Sequence, residues 1–256
     1  MIEVEDQLFH GRPDVVDADL ADYFGSIPHS ELMRSVARRI VVPRVLHLIR
    51  LLLHCAVEET DDKGRKTRTT VAKDQRRGIP QGPPISPLLA NLYMRQFVLG
   101  WRKLGLGQRL GARLVTYADD LIILRQKGNA EAALDHMRGV MGKLKLTVNE
   151  EKTGICKVPG GTFGFLGYTF GRTHSPATRR ARMGYRPSKK GIKRAVDKIH
   201  VLTEMTSTWQ DSAVLIAKIN RALRGSANYF SVGTTSKAYR AVDSYTLVRV
   251  PHSDRL

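Results

Sequence analysis

Three aspartates stand where predicted strands end and turns begin, a position suited to holding a metal ion. Asp19 ends the predicted strand 15–19, and Asp119 and Asp120 occupy the turn of a strand–turn–strand predicted over 112–125. Neighbouring carboxylates in an otherwise apolar hairpin repel one another, and burial adds to the cost of their charge. A divalent cation relieves that repulsion, and Mg²⁺ prefers carboxylate and phosphate oxygens. Two such ions about 3.5–4 Å apart would stabilise the attacking and leaving oxygens of a phosphoryl displacement.

The same acids also have a plainer interpretation. Aspartate is a favoured turn residue because its carboxylate accepts hydrogen bonds from nearby backbone amides. On the residues alone, Asp119 and Asp120 fit a solvated hairpin turn as well as they fit a metal site, and Asp19 could equally be a turn acid.

The composition favours a polyanionic partner. The 256 residues carry a formal net charge of +18, and 42% of them are hydrophobic, which is enough to bury a core. Such a charge suits nucleic acid, a membrane surface or solubility alone. No apolar segment reaches the ~18 residues that a membrane-spanning helix needs, and no signal peptide is evident. Cys55 and Cys156 make neither a disulfide framework nor a thiolate cluster. We expect a nucleic-acid-binding, cytoplasmic protein without membrane association.

The elements that position the acids combine helices with short strands. Residues 1–12 are expected to be irregular, 58–77 to form a hairpin or long loop, and 78–87 to form a shaped loop rich in Gly and Pro. Apolar spacing predicts helices over 29–40, 45–55, 87–104, 130–144, 189–205, 211–224 and 236–248. Further strands are predicted over 146–148, 153–158 and 163–170.

Five segments, in order, resemble motifs of reverse transcriptases, specifically of the bacterial group II intron-encoded type. They are DLADYF at 19–24, GIPQGPPISPLLAN at 78–91, YADD at 117–120, LTVNEEKT at 146–153 and FGFLGY at 163–168. A fainter resemblance covers INRALRGSANYF at 219–230, similar to the helical thumb or maturase segment, where Ser226 replaces the Trp usual in the family. Each motif alone is a weak signal, and their shared order makes the resemblance specific.

The resemblance implies roles for the acids and their neighbours. Asp19 and Asp119 would be the principal ligands of two Mg²⁺ ions (Mn²⁺ being an alternative), supported by Asp120 and the Leu20 carbonyl. Lys152 would balance charge on the leaving pyrophosphate or donate a proton, although a lone Lys is often simply solvated. Residues implied to contact nucleotide or template are Phe24, Gln81, Gly82, Asn91 and Tyr117, and those implied to lie close to the primer are Gly164 and Gly167. Phe24 could instead be a core aromatic and Asn91 a solvated helix residue.

Basic side chains recur along the predicted C-terminal helices. They suit phosphate contacts with a template–primer duplex or with intron RNA, and a solvated helix face is the alternative. These residues are Lys189, Lys190, Lys193, Arg194, Lys198, Lys218, Arg221 and Arg224.

The architecture that the resemblance implies is α+β. A right-hand polymerase palm with partial fingers, an antiparallel sheet backed by helices, would occupy 1–172. A basic linker would follow over 173–187, and a helical thumb or maturase-like region would occupy 188–256. Only 18 residues precede Asp19, where the family has a fingers region. The function implied is RNA-directed DNA polymerisation from deoxynucleoside triphosphates on an RNA template and a DNA primer. An RNA-binding splicing cofactor (a maturase), or a truncated fragment without polymerase activity, are the alternatives.

Overall fold

The computed structural model describes residues 1–60, 65–128, 130–174, 180–204 and 211–249. The chain divides into two compact units. The palm unit comprises His10–Cys156, and the hairpin–helix unit comprises Met1–Phe9 together with Lys157–Leu256.

The described residues form antiparallel sheets together with separate runs of helices, which confirms the predicted α+β class. The strands are β1 (Asp14–Ala18), β2 (Val57–Thr60), β3 (Lys66–Thr69), β4 (Ala112–Tyr117), β5 (Asp120–Arg125), β6 (Gly154–Lys157), β7 (Phe163–Phe165), β8 (Tyr168–His174) and β9 (Ala181–Pro187). The helices are α1 (Ile2–Phe9), α2 (Tyr23–Ser26), α3 (His29–Ala37), α4 (Pro43–His54), α5 (Val71–Gln75), α6 (Ser86–Lys103), α7 (Leu106–Arg109), α8 (Ala130–Lys143), α9 (Lys189–Leu202), α10 (Ser212–Tyr229) and α11 (Ser236–Arg249).

The palm unit is built on a four-stranded sheet in the order β4-β5-β1-β6. Strand β5 pairs antiparallel with both β4 and β1. Its residues Leu121–Leu124 are all buried, and such an unbroken apolar run marks a central strand covered on both faces. One face packs on α6 and α8, where Phe97 and Met137 are fully buried. The sheet therefore provides a rigid base at whose ends β1 and β5 can hold polar side chains.

Helix α6 presents its apolar residues along one stripe toward this core. Its buried residues recur at helical spacing and are Ser86, Leu89, Ala90, Tyr93, Met94, Phe97 and Trp101. The predicted helix 87–104 is confirmed within one residue at each end. Within 58–77, predicted to be a hairpin or long loop, β2 pairs antiparallel with β3, whereas the prediction missed the short helix α5 that follows.

The hairpin–helix unit contains a second sheet, in the order β7-β8-β9. The strand predicted over 163–170 is wrong as a single strand, because the chain reverses at Leu166 and Gly167, whose φ angles are +47° and +73°. These angles match a tight two-residue hairpin turn. The linker predicted over 173–187 is also corrected: 181–187 forms β9, paired with β8 from Tyr168↔Pro187 to His174↔Ala181.

The N-terminal segment differs from its prediction as well. Residues expected to be irregular form α1, in which Val4 and Leu8 are buried, and α1 contacts β9. Because β7 and β8 lie in this second sheet, residues 158–172, predicted as part of the palm, belong to the hairpin–helix unit. Helices α9 and α10 pack through Ile199 and Ile219. Across the described residues, no helix combines the length and apolar character that a membrane crossing requires.

Two helical glycines offer a test of packing in the hairpin–helix unit. In α9, a Cβ at Gly191 would lie 2.7 Å from Cζ of Phe230, whereas a Cβ at Gly225 in α10 would meet nothing within 4 Å. We expect Gly191→Ala to lower the free energy of unfolding, because overpacking costs about 1–3 kcal/mol and exceeds the gain in helix propensity of about 1 kcal/mol. Urea unfolding followed by circular dichroism measures the change.

Gly225→Ala is the matched control, since it has the helix-propensity gain without the clash and should raise the free energy of unfolding. Equal stabilisation by both substitutions would show that Phe230 does not pack tightly against α9.

Candidate active site

The register of β1 against β5 brings the three aspartates to one end of the sheet. Ala18 pairs with Leu121, so Asp19 and Asp120 follow as the next opposed positions. Tyr117 pairs with Asp120 to close the β4–β5 hairpin, which leaves Ala118 and Asp119 as its turn. The fold therefore gathers residues that lie about a hundred positions apart, as the sequence predicts.

The hairpin turn carries backbone strain next to Asp119. Ala118 has a φ of +53°, in the left-handed region that residues other than glycine seldom adopt. Strained residues of this kind persist where the surrounding structure holds them, and they cluster at functional sites. The β4–β5 pairing on both sides of this turn holds the strained residue and fixes the backbone position of Asp119.

The segment 147–153, which follows α8, forms hydrogen bonds with the backbone at 19–21. The Asp19 carbonyl accepts a hydrogen bond from the Asn149 amide at 2.9 Å, and the Asp19 amide donates to Thr153 Oγ1 at 3.2 Å. The Ala21 amide donates to the Thr147 carbonyl at 2.9 Å. Because alternate residues of a strand direct their backbone groups to opposite edges, the Leu20 carbonyl points to the edge on which β5 lies.

This segment also places the ammonium group of Lys152 beside Asp19. Lys152 Nζ lies 3.1 Å from Asp19 Oδ2, with the Lys152 side chain 69% exposed and that of Asp19 33% exposed. The turn that positions Lys152 begins at Asn149, whose Oδ1 accepts a hydrogen bond from the Glu151 amide. The sequence indicated Lys152 as a charge-balancing residue but not its partner.

The third carboxylate experiences the repulsion that the sequence predicts. Partial burial, together with the negative charges of Asp119 and Asp19, raises the pKa of Asp120 above the ordinary value of an aspartate. Its side chain nevertheless remains partly exposed to solvent. A site in which ionised carboxylates disfavour one another is suited to binding a cation.

The donor set fits Mg²⁺ in its chemistry, since it consists of carboxylates with a backbone carbonyl beside them. Among the described residues, however, no group of three or more His, Cys, Asp or Glu side chains is arranged to hold a metal ion by itself. Ligands from a substrate or from solvent would therefore have to complete the coordination.

The loop after α5 is tied by hydrogen bonds to the segment that follows Asp19. The Gly78 amide donates to the Ile27 carbonyl and the Ile79 amide to the Phe24 carbonyl, both at 2.8 Å. Ser86 Oγ donates to the Pro80 carbonyl at 2.5 Å. The two motifs therefore form one hydrogen-bonded substructure, which the sequence alone did not disclose.

His29 is a residue of this substructure to which the sequence assigned no role. Its Nε2 lies 2.7 Å from the Gly78 carbonyl oxygen, and since that oxygen can only accept, Nε2 carries the proton. Within the described part of the chain, the other ring nitrogen is buried without a hydrogen-bond partner. Burial is the main cause that lowers the pKa of His29, and His54, 5.5 Å away between ring centroids, adds to the effect.

The predicted nucleotide and template residues lie in three places of the palm unit. Gln81 and Gly82 are exposed in the loop. The φ of +111° at Gly82 favours glycine, although a Cβ there would meet nothing within 4 Å. Asn91 and Tyr117 line one groove together. Phe24 is partly buried against the core, 5.8 Å from the Tyr23 ring, so the core-aromatic alternative retains support.

The predicted primer residues lie in the hairpin–helix unit. Gly164 is exposed in β7, and Gly167 occupies the turn that follows. This turn is held by the end of α10, because Tyr229 Oη donates to the Leu166 carbonyl at 3.0 Å and Tyr168 Oη donates to the Tyr229 carbonyl at 2.8 Å. The basic residues predicted along the helices are all exposed, namely Lys189, Lys190, Lys193, Arg194, Lys198, Lys218, Arg221 and Arg224.

Replacing His29 should loosen the loop that begins at Gly78. We expect His29→Leu to lower the free energy of unfolding by about 1–3 kcal/mol, because the buried Gly78 carbonyl loses its donor. His29→Gln, which keeps a donor at a similar distance, should recover part of the loss. Chemical denaturation of the three proteins measures both effects.

The pH dependence of stability distinguishes the imidazole of His29 from the amide of the His29→Gln variant. A lowered folded-state pKa means that the unfolded chain binds the proton more readily, so the wild type should lose stability as pH falls below the ordinary histidine value of 6.5. His29→Gln should lack that part of the slope, and identical slopes would contradict the assignment of a neutral His29.

Asp120→Asn should stabilise the protein at neutral pH. The raised pKa means that the ionised Asp120 is disfavoured in the folded state, so stability falls as pH rises from the ordinary value of 3.8 through the folded-state pKa. We expect a gain of about 1–2 °C in Tm at pH 7, the response of a domain of this size to a fraction of a kcal/mol. The gain should vanish in thermal melts below pH 3.8, and a gain that persists there would exclude carboxylate repulsion as its cause.

Known proteins share these features. The family model described as reverse transcriptase (RNA-dependent DNA polymerase) matches residues 10–170, and that of the group II intron, maturase-specific domain, matches 192–252. Protein YkfC of Escherichia coli K12 is 31% identical over 191 residues, which are 63% of this chain and 48% of that protein. The chain thus spans about half the length of this curated relative.

Solved telomerases share the fold. The apo telomerase of Candida tropicalis superposes with a TM-score of 0.50 at 12% identity, covering 96% of this chain and 47% of that one. The Candida albicans telomerase in complex with a fragment of telomeric RNA gives 0.51 at 11% identity, covering 97% and 48%. With its motifs, its sheet and both family models in agreement, the chain belongs to the reverse transcriptase family, in the group II intron reverse transcriptase/maturase branch.

Proposed function

We propose that this protein is an RNA-directed DNA polymerase that extends a DNA primer on an RNA template with deoxynucleoside triphosphates. The observation that carries the proposal is the meeting of Asp19, Asp119 and Asp120 at one end of β1 and β5. The raised pKa of Asp120, caused first by its partial burial and then by the charges of Asp119 and Asp19, supports it. An RNA-binding module has no need of such a costly cluster.

Asp19 and Asp119 would hold two Mg²⁺ ions, or Mn²⁺, with Asp120 and the Leu20 carbonyl in support. When bound, the ions supply charge neutralisation at the triphosphate and make the primer 3′-hydroxyl more acidic. The protein's own contribution is to fix the carboxylates in place, through the β1–β5 register and the strained turn at Ala118. Such positioning accounts for most of the catalysis of phosphoryl transfer.

Lys152 would exchange partners during the reaction. Its ammonium neutralises Asp19 in the structure at 3.1 Å, and its exposed side chain is long enough to turn toward a phosphate. There it would balance the charge that develops on the leaving pyrophosphate or give it a proton. The Asn149 turn keeps the Lys152 backbone in place while the side chain moves.

The remaining residues would bind nucleotide and nucleic acid. Phe24, Gln81, Gly82, Asn91 and Tyr117 would contact the incoming nucleotide and the template, and Gly164 and Gly167 would let the primer backbone lie close. The exposed lysines and arginines of α9 and α10 would contact phosphates. In this assignment the palm with partial fingers is the unit His10–Cys156, and 188–256 is the thumb. The enzyme acts in the cytoplasm, where nucleoside triphosphates are available.

A maturase role is the second candidate, and a specific observation favours it. The maturase-specific domain model matches residues 192–252, and basic side chains are exposed along α9 and α10 in that region. The Candida albicans telomerase likewise is described in complex with RNA. Binding of intron RNA through these helices would not require the three aspartates.

Primer extension tests the polymerase. We expect the wild type to extend a DNA primer on RNA with Mg²⁺ and deoxynucleoside triphosphates, and Asp119→Ala to lose extension by about a thousandfold, as removal of a major electrostatic contribution does. In thermal melts, Mg²⁺ should raise the Tm of the wild type but not that of Asp119→Ala, because only the former gains binding energy.

Asp135→Ala is the matched control, because it removes an exposed carboxylate of α8 whose ion pair with Arg138 contributes little. It should extend primers like the wild type. Wild-type extension no better than that of Asp119→Ala would exclude polymerase activity, and intron-RNA binding retained by both would then favour the maturase.

A further inference from the structure

A groove runs along the outer edge of the palm sheet and ends at the catalytic turn. One wall is α6, and the other is β4, the edge strand in the order β4-β5-β1-β6. Tyr117 and Ala118, the two residues before Asp119, close the groove at one end. A molecule that follows this α6–β4 groove is therefore led directly to the candidate active site.

The α6 wall presents one exposed stripe of side chains to the groove. Asn91, Arg95, Leu99 and Arg102 are spaced by three or four residues, are all exposed and all line the groove. Between the arginines the floor is apolar, formed in part by Val98. Across from them, Tyr117 is 64% exposed. The groove thus combines cations, an amide and an accessible aromatic face.

The charge of the groove lacks a counterpart in the protein. No carboxylate lines it, and in the described part of the chain the guanidinium groups of Arg95 and Arg102 make no ion pair and no hydrogen bond. A second groove continues from it, shares Val98 and Arg102, adds Arg113, and is likewise free of carboxylates among its lining residues. Guanidinium groups match phosphate oxygens in geometry, so a repeating anion fits this surface.

The spacing of the arginines fits a nucleic-acid strand. Arg95 and Arg102 are two helical turns apart, about 10 Å at 1.5 Å per residue. Successive nucleotides of one strand in a duplex advance about 3.4 Å along the axis, so the two guanidinium groups can reach phosphates about three nucleotides apart. Tyr117 can meanwhile contact a base or sugar, as aromatic platforms do in nucleic-acid channels.

We propose that the α6–β4 groove binds the phosphodiester backbone of a nucleic-acid strand as it passes the catalytic turn, with Arg95 and Arg102 as its phosphate contacts. The proposal rests on the proposed function for the identity of the strand, template or primer. The groove itself is defined by charge and shape, and so its ligand class can be tested without any catalytic reaction.

The test is equilibrium binding of fluorescently labelled probes to the full chain, without Mg²⁺ or nucleotide, over a series of salt concentrations. The probes are single-stranded RNA, single-stranded DNA and an RNA–DNA hybrid with a primer terminus. The variant is Arg95→Ala/Arg102→Ala, and the control is Arg34→Ala/Arg38→Ala, which removes two exposed arginines of the α3 region outside the groove. Both variants lose the same charge.

We expect the groove variant to bind roughly tenfold more weakly near 0.1 M salt and the slope of log K against log salt to become less steep by about 1.4–1.8, the loss of two phosphate contacts. The control should bind like the wild type. The probe whose affinity falls most in the groove variant identifies whether a single strand or the hybrid occupies the groove. Equal losses in both variants would overturn the proposal, because net charge alone would explain them.

A photoreactive benzoylphenylalanine at Leu99 gives a second readout that does not depend on the arginines. Leu99 is 37% exposed in the groove, so a bound probe should crosslink there and excess unlabelled probe should suppress the crosslink. If the wild type extends primers, but the Leu99 probe does not crosslink and Arg95→Ala/Arg102→Ala does not weaken binding, the groove proposal fails. The polymerase proposal is then unaffected. If the wild type extends no primer but Arg95→Ala/Arg102→Ala still weakens probe binding, the groove proposal stands and the polymerase proposal fails.

Discussion

The antiparallel pairing of β1 with β5 is the constraint on which the candidate site depends. The pairing of Ala18 with Leu121 sets Asp19 beside Asp120, and the hairpin closed by Tyr117 adds Asp119. A slip by one residue would turn every side chain of β1 to the opposite face of the sheet. The buried side chains Val15, Val16 and Ala18 of β1 and the hydrogen bonds around Asp19 oppose such a slip. Hydrophobic packing therefore supplies the stability that holds the repelling carboxylates together.

The hydrogen bonds around Asp19 extend this constraint to the other motifs. The segment from Thr147 to Thr153 is bonded to the backbone at 19–21, and the loop from Gly78 is bonded to Phe24 and Ile27. Three motifs far apart in the sequence thus share one scaffold. The strained backbone of Ala118 and the buried His29 Nδ1, which has no hydrogen-bond partner among the described residues, each destabilise the fold locally. The hydrogen-bonded scaffold is stable enough to hold both.

The elements that could be predicted from the sequence are those that a local pattern of residues determines. The β4–β5 hairpin and α6 follow from apolar spacing, and both lie within a residue or so of their predicted bounds. The ion pair of Lys152 with Asp19 could not be predicted, because it joins residues far apart in sequence and depends on the Asn149 turn. Strand β9 was missed because its basic sequence, ARMGYRP, has little alternation and becomes a strand only through pairing with β8.

The distribution of charge reconciles a cluster of acids with a chain of net charge +18. Three carboxylates at the end of the sheet would repel a polyanionic strand if nothing opposed them. Lys152 neutralises one of them within the site, and exposed arginines and lysines lie elsewhere on the palm unit and along α9 and α10. Because basic side chains outnumber acidic ones, the net field of the protein attracts a polyanion. The three acids dominate only close to the site, because salt screens charges beyond about 10 Å. The aspartates can therefore serve a nucleic-acid substrate only when cations stand between them and its phosphates, and this requirement makes the carboxylates, their lysine and the basic surface parts of one electrostatic arrangement.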